Sequence, residues 1–221
     1  MKKKSYQKGF LGLHLVAGFI IFAAMTFTLW EISEDINKGE PLTVADAQLS
    51  TWLHSHALPR LTSALFVLTY LGSSMVASSV AAVFGLYLIW RRRFYWLAAI
   101  VSSVYGGMLL NKILKYAFQR PRPHFDDPLV SLTSYSFPSG HTMTATVLYG
   151  VLAAYCFTST HDWRRRVAII LLAGFLVLLV AFSRIYLGAH YLSDVLGAMA
   201  EGIAWLALCL TVVYSLWRRG L

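Results

Sequence analysis

Three polar clusters in the second half of the chain hold the residue types that bind and transfer phosphate groups. In chain order they are Lys115 with Arg122-Pro123, then Pro138-Ser139-Gly140-His141, then Ser183-Arg184 with His190 and Asp194. Lysine and arginine supply cationic donors, and an arginine can contact two phosphate oxygens at once. We therefore predict that Lys115, Arg122 and Arg184 bind a phosphate group.

The pair Ser139-Gly140 offers a second kind of anion contact. Backbone N–H groups at the start of a helix have no partner within that helix, and the helix dipole favours negative charge there. Glycine lets a ligand approach the backbone closely, and Pro138 suits the entry to a helix. Ser139 and Gly140 are therefore predicted to bind the phosphate as well.

His190 and Asp194 are four residues apart, which places both on one face of a helix. The carboxylate can accept a hydrogen bond from one imidazole nitrogen, which leaves the other nitrogen unprotonated and able to attack phosphorus. His141 is then suited to protonate the leaving alkoxide. The sequence shows no acidic cluster suited to two divalent metals. We therefore predict catalysis by His190, His141 and Asp194, with no metal and no cofactor.

The segments that must position these clusters are long apolar runs. Hydrophobic residues make up 57% of the chain and charged residues 13%, and about 20 apolar residues cross a bilayer as a helix. The runs cover residues 9–30, 61–90, 94–118, 142–157, 167–182 and 191–217. They predict an all-α polytopic membrane protein with six transmembrane helices, forming one domain over residues 1–221. Gly72-Ser73-Ser74 interrupts the second run, so a kink is expected there.

Basic residues outside the three clusters predict the orientation. With the N-terminus inside, 12 of the 19 lysines and arginines fall in inner segments, which agrees with the positive-inside rule. They are Lys2, Lys3, Lys4, Lys8, Arg91, Arg92, Arg93, Arg164, Arg165, Arg166, Arg218 and Arg219. We predict inner N- and C-termini in the plasma membrane, so that all three clusters lie at the periplasmic or extracellular face.

The same distribution excludes another class of partner. The formal net charge is +9, which alone could indicate a nucleic-acid-binding protein. However, the basic residues occur in short groups between apolar runs, where they orient helices in a bilayer and attract anionic headgroups. The bilayer and a membrane lipid are therefore the predicted partners, with no nucleic acid and no obligatory protein partner.

The first outer loop, residues 31–60, is predicted to carry a short amphipathic helix. The run Thr43-Val44-Ala45-Asp46 is similar to a capping box in which Asp replaces Glu. Ala45, Leu49, Trp52 and Leu53 then recur at helical spacing. Such a helix is expected to lie on the outer leaflet.

Several polar residues outside the clusters receive no catalytic role. Those expected to be solvated are His54, His56, Arg120, Asp126 and Asp127. Glu201 is seven residues beyond Asp194 and within a span, where a carboxylate is expensive and often functional. It is expected to be protonated, or paired with a residue such as Lys112, and is left out of the site.

The three clusters resemble the signature motifs of the type-2 phosphatidic acid phosphatases. Every signature position between residues 115 and 194, roughly a third of the chain, matches. The six-span layout is similar to that of bacterial membrane members that act on phosphatidylglycerophosphate or undecaprenyl pyrophosphate. The resemblance implies a phosphohistidine mechanism. His190 would attack phosphorus, His141 would donate a proton to the departing lipid, and water would cleave the phosphoenzyme.

The expected function is removal of phosphate from a membrane lipid. Phosphatidylglycerophosphate, undecaprenyl pyrophosphate, phosphatidic acid and a lipid A phosphate all remain candidate substrates. One alternative is a phosphotransferase, which would use the same residues to move phosphate from a polyprenyl pyrophosphate to another lipid. A non-catalytic lipid-phosphate transporter is disfavoured, because the spans carry few polar residues and both histidines are present.

Overall fold

The computed structural model describes residues 2–39, 41–130 and 132–219, with side chains described for residues 15–39, 41–130 and 132–218. The helices are α1 (Lys2–Lys38), α2 (Pro41–Ser55), α3 (Pro59–Leu68), α4 (Ser74–Trp90), α5 (Phe94–Val101), α6 (Gly107–Phe118), α7 (Gly140–Ser159), α8 (Trp163–Tyr186) and α9 (Leu192–Arg219). No strand occurs in these ranges. The prediction of an all-α fold is confirmed. The side chains of Lys2, Lys3, Lys4, Lys8 and Arg219, which helped to predict the orientation, lie outside the described part.

The predicted spans correspond to helices of membrane-crossing length and composition. Five qualify within the described residues, and a sixth does if α3 and α4 form one bent span. The third span, predicted as one continuous helix, is interrupted between α5 and α6 by a π-helical turn over Ser102–Gly106. The indole of Trp205 lies against this turn and donates a hydrogen bond to the Ser102 carbonyl, at 3.1 Å.

The kink predicted at Gly72-Ser73-Ser74 is present. A 3₁₀ turn over Thr69–Gly72 follows α3, and the chain then bends by 45° into α4. A Cβ atom added to Gly72 would lie only 2.6 Å from the carbonyl oxygen of His141. The bend therefore depends on glycine, because it brings the backbone of this span directly against the start of α7.

Helix α7 is the centre of the bundle. It contacts α4, α5, α6, α8 and α9, and its residues from Thr142 to Leu148 are all buried. Helix α1 packs instead along α9 at one side of the bundle. The three polar clusters therefore lie on this enclosed helix and at the ends of its neighbours, where few alternative packings are available.

The outer faces of the bundle are strongly apolar. Large hydrophobic side chains stay exposed along α4 and α8, among them Val83, Leu86, Leu171, Leu172 and Phe175. Contiguous exposed apolar surface of this kind marks an interaction with a membrane or another protein. Along helices of spanning length it fits contact with lipid.

The helix predicted within residues 31–60 is present as α2, but the face that it packs against the bundle differs from the predicted apolar face. Asp46, Ser50 and Leu53 are buried against the bundle, whereas Ala45 and Trp52 are exposed. The helix begins at Pro41, so Asp46 lies in its second turn and does not cap its start. The capping-box interpretation was therefore wrong, because the helix begins two residues before Thr43 and Asp46 accepts hydrogen bonds from outside α2.

Candidate active site

The three polar clusters meet at one end of the bundle. The C-terminal ends of α6 and α8 lie there beside the N-terminal ends of α7 and α9. The backbone N–H of Ser139 donates to the carbonyl of Asp194 at 3.0 Å, which joins the second cluster to the third. Nη1 of Arg122 lies 3.2 Å from Nε2 of His190, which joins the first cluster to the third.

His190 lies in the turn between α8 and α9 and is buried. The prediction that it shares a helical face with Asp194 was wrong, because α9 begins at Leu192 and only Asp194 is part of the helix. Arginine can only donate, so Nε2 of His190 accepts from Arg122 and the ring proton lies on Nδ1. Nδ1 faces Oδ2 of Asp194 at 3.4 Å and the Ser136 hydroxyl at the same distance. Burial lowers the pKa of His190 to about 3, against a smaller opposing effect of Asp194. The imidazole is therefore neutral, with a lone pair on Nε2.

Asp194 is held by the start of its own helix. Its Oδ2 accepts from the backbone N–H of Tyr191 at 2.9 Å, as the acidic residue of a capping box does. The same oxygen accepts a short hydrogen bond from the Ser136 hydroxyl, and Oδ1 accepts from Nη1 of Arg120 at 2.6 Å. The carboxylate is fully buried. Its position beneath His190 is thus fixed by several donors.

The segment Arg120-Pro121-Arg122-Pro123 directs two arginines into the site. Gln119 ends α6 in the left-handed conformation, at φ 48°, and turns the chain away from the helix. A residue before proline favours extended backbone, and side chains two apart then project to the same side. Arg122 also donates to the carbonyls of Ser134, at 2.6 Å, and Ala189, at 2.5 Å.

Lys115 of α6 and Arg184 of α8 are the other two cations predicted to bind phosphate. Nζ of Lys115 donates to the carbonyls of Tyr135 and Ser136, at 2.6 and 3.3 Å. Nη1 of Arg184 donates to the hydroxyl of Thr69 at 3.0 Å. Nε of Arg184 is buried without a hydrogen-bond partner. A buried unpaired donor on a cation is costly, and an anion would satisfy it.

The start of α7 supplies the remaining predicted residues. The first bond within this helix runs from Met143 N to Ser139 O, so the N–H groups of Gly140, His141 and Thr142 precede it. The N–H of Ser139, predicted to contact phosphate, is instead occupied by the carbonyl of Asp194. A Cβ on Gly140 would lie 3.3 Å from Oδ1 of Asn111, so this side of the turn is tightly packed.

His141 faces the cations of the site. Its ring is close enough to three cations to feel their charge. The electrostatic effect is largest from Arg184, smaller from Arg122 and smallest from Lys115. The structure thus brings together all eight predicted positions: His190, His141, Asp194, Lys115, Arg122, Ser139, Gly140 and Arg184. Chemically, the arrangement combines a neutral, oriented imidazole, a second imidazole and several cationic donors. That combination suits transfer of a phosphate group to nitrogen.

The sequence did not identify two charged residues, Arg120 and Asp46, as part of this region. Arg120, expected to be a solvated loop charge, is only 8% exposed and pairs with both Asp46 and Asp194. That expectation was wrong, because the extended Arg-Pro segment turns the side chain inward. Asp46 was interpreted only as the acidic residue of a capping box. The sequence did contain an indication of its role, because Asp46 falls on the same helical face as Leu49 and Leu53. A carboxylate on a face that is buried requires a partner for its charge.

Glu201 lies beneath the start of α7, and the suggested pair with Lys112 is wrong. Its Oε2 accepts from Nδ2 of Asn111 at 2.8 Å, and Oε1 has no hydrogen-bond partner. Lys112 is exposed instead. Nδ2 of Asn111 also lies 3.5 Å from the Pro138 carbonyl. Glu201 therefore supports the turn that enters α7.

The remaining loop charges lie at the rim. Asp126 and Asp127 are exposed, as expected. Nε2 of His54 contacts the Asp127 carboxylate at 2.9 Å, which lowers the pKa of Asp127, and the His54 ring stacks on Phe125. Among the residues that the structure describes, no group of three or more His, Cys, Asp and Glu side chains could hold a metal ion.

The chain is similar in sequence to known proteins. A model of the PAP2 superfamily matches residues 96–218. The chain is 36% identical over 151 residues to phosphatidylglycerophosphatase B of Bacillus subtilis, which covers 66% of this chain and 71% of that protein. It is also 36% identical over 131 residues to a lipid A 1-phosphatase of Rhizobium etli, covering 54% of this chain and 51% of that relative.

Two solved structures share the fold. One is a transmembrane PAP2 type phosphatidylglycerolphosphate phosphatase from Bacillus subtilis, with a TM-score of 0.78 and 27% identity, covering 90% of this chain and 96% of that chain. The other is Aquifex aeolicus LpxE, with a TM-score of 0.60 and 24% identity, covering 77% of this chain and 95% of that chain. The first similarity extends across nearly all of both chains, so the arrangement of helices described above is shared.

Proposed function

Because the chain belongs to the PAP2 superfamily, we propose that this multi-pass membrane protein hydrolyses the phosphate of a membrane lipid through a phosphohistidine on His190. The observation that carries the proposal is the buried, neutral His190 between Arg122 and Asp194. The relatives named for phosphatidylglycerophosphate and lipid A support a lipid substrate. Position supports it as well, since the site lies at the end of a bundle with apolar outer faces.

In the first step, Nε2 of His190 attacks phosphorus and forms a P–N bond while the P–O bond to the lipid breaks. His141 gives its proton to the departing lipid oxygen. In the second step, water attacks phosphorus, His141 takes a proton from it, and the P–N bond breaks to release inorganic phosphate. Lys115, Arg122 and Arg184, with the N–H groups at the start of α7, bind the phosphate oxygens and stabilise their charge.

The direct test is phosphate release by purified protein in detergent. The panel consists of phosphatidylglycerophosphate, undecaprenyl pyrophosphate, phosphatidic acid and a lipid A phosphate, each assayed with and without a chelator. Release from at least one lipid, with the same rate after chelation, is expected. Labelled phosphate that appears on a lipid acceptor instead of in water would favour transfer over hydrolysis. Absence of both products from all four lipids would contradict the proposal.

We expect His141→Ala to reveal general acid catalysis through its dependence on the leaving group. A lipid alkoxide is a poor leaving group and needs the proton, so the kcat for lipid hydrolysis should fall by about 10²–10⁴-fold. p-Nitrophenolate leaves without protonation, so formation of the phosphoenzyme from p-nitrophenyl phosphate should change far less. Burst-phase measurements with both substrates would show the difference. Equal losses of the burst rate for the two would exclude this role.

We propose that both termini lie on the inner side of the membrane and that the active site lies at its outer face. This orientation is based on the positions of the basic segments described above. Single cysteines at Asp126, beside the site, and at His161, in the turn between α7 and α8, are both at exposed positions. In a background without Cys156 and Cys209, an impermeant thiol reagent added to intact cells should label Asp126→Cys but not His161→Cys. Labelling of only the second variant would reverse the orientation.

A further inference from the structure

A buried carboxylate of the first outer loop is bonded to the catalytic end of the protein. Asp46 of α2 is 1% exposed. Its Oδ1 accepts from the backbone N–H of Ser193 at 2.9 Å, and its Oδ2 accepts from Nη2 of Arg120 at the same distance. The Ser193 hydroxyl donates a further, short hydrogen bond to Oδ2. Asp46 thus caps the start of α9 from another helix, where negative charge is favoured.

Arg120 connects this carboxylate to Asp194. Its Nη1 donates to Oδ1 of Asp194 at 2.6 Å and to the Ser193 hydroxyl at 2.7 Å, while Nη2 donates to Asp46. The guanidinium lies 4.5 Å from the ring centroid of Tyr191. These contacts all run to α2 and to the start of α9. Arg120 therefore differs from Arg122, which contacts His190 itself.

The charges of the three side chains do not cancel. One guanidinium stands between two carboxylates, so the group carries a surplus negative charge beside His190. When His190 forms a bond to phosphorus through Nε2 and keeps its proton on Nδ1, the ring becomes cationic. A negative charge below the ring stabilises that cation, and the effect is large where water is excluded. Without Asp46, Arg120 would neutralise Asp194.

We propose that Asp46 and Arg120 are positioning residues for the reaction: they fix Asp194 under His190 and preserve its negative charge for the phosphohistidine. The inference rests on the proposed function, since it assigns their effect to the same intermediate. It also makes α2 part of the catalytic apparatus, through hydrogen bonds between residues 46 and 193 that are 147 positions apart in the chain.

The test uses full-length protein in detergent with the best lipid of the panel. Asp46→Asn keeps the size of the side chain and removes its charge, and Asp126→Asn is the matched control at an exposed position. We expect Asp46→Asn to lower kcat by about 10–100-fold, the loss typical when a residue that orients a functional side chain is removed. KM should change less than about twofold, because no phosphate contact is lost. Arg120→Lys should retain more activity than Arg120→Gln, since it keeps the charge.

Two further measurements separate positioning from a general loss of folding. Ser193→Ala keeps both carboxylates and the guanidinium, so it should cost only a few-fold in kcat, less than Asp46→Asn. Asp46→Asn combined with Arg120→Gln should be no worse than Arg120→Gln alone, because the two act through one carboxylate. Rates are expressed per folded molecule, measured by thermal unfolding and gel filtration.

The inference is overturned if Asp46→Asn has the kcat of Asp126→Asn, or if its loss disappears once rates are expressed per folded molecule. It is also overturned if KM, and not kcat, changes. Failure of the proposed function has a different signature: an active His190→Asn variant would exclude the phosphohistidine whatever Asp46→Asn does. A dead His190→Asn variant with a fully active Asp46→Asn variant would exclude the positioning role alone.

Discussion

Replacement of His190 by Asn should reduce lipid phosphate release by at least about 10⁴-fold, because it removes the nitrogen that we propose bonds to phosphorus. The side chain is buried, and asparagine is the closest neutral substitute for a ring that both donates and accepts. The residual rate would reflect binding and charge stabilisation by the cations alone. Acid-labile ³²P on the protein measures formation of the phosphohistidine. Release of phosphate from the preferred lipid measures the complete reaction.

The matched control for His190 lies immediately after α2. His56 is exposed and lies outside the site, so His56→Asn should keep the rate of the unmodified protein. Circular dichroism and the unfolding temperature of His190→Asn should show an intact helical protein. If this variant still releases phosphate at more than about a tenth of the original rate, His190 is not the nucleophile.

Replacement of Asp194 by Asn should lower kcat by about 10³–10⁴-fold, a loss of the size known for the aspartate that orients a catalytic histidine in serine proteases. Both carboxylate oxygens accept hydrogen bonds, from Arg120 on one side and from Tyr191 N and Ser136 on the other. An amide has one oxygen, so its NH₂ group must face a donor. If it faces His190, the ring shifts its proton to Nε2 and loses the attacking lone pair.

Asp127→Asn is the control for this variant, since Asp127 is exposed at the rim of the site. It should retain nearly full activity. The position of the ring proton in Asp194→Asn can be read from ¹⁵N chemical shifts of the histidine, which distinguish the two neutral tautomers. Unchanged shifts combined with unchanged kcat would contradict the orienting role of Asp194.

The sequence was sufficient for the bundle and for the eight motif positions. Apolar runs of spanning length predict helices from hydropathy alone. The sequence also predicted that His190 and Asp194 are neighbours, although the turn before α9 brings them together and not a shared helical face. The first two clusters lie between the third and fourth spans and the third cluster lies between the fifth and sixth. Two spans separate these connections, so an up-and-down order of helices places all three clusters at one end. The prediction of one domain over residues 1–221, with a motif core at 115–194, stays a prediction.

What could not be predicted depends on contacts distant in the chain. Arg120 pairs with residues 74 positions away on both sides, Asp46 and Asp194. Its local pattern, an arginine before proline, is the same as that of Arg122, and only the packing of α2 distinguishes their roles. The π-helical turn at Ser102–Gly106 is likewise set by Trp205, which is far along the chain. Periodicity within a single segment carries no information on such partners.

The bent span also bears on how much of the chain makes up the catalytic unit. All eight motif positions lie within residues 96–218, the stretch that the family model matches. Yet Arg184 is held by Thr69, and the backbone of His141 rests against Gly72, both upstream of that stretch. A shortened protein beginning near residue 96 would therefore keep every motif and lose the contacts that support Arg184 and His141. The shortest fragment expected to be active is therefore longer than residues 96–218, the range that identifies the chain as a member of the family.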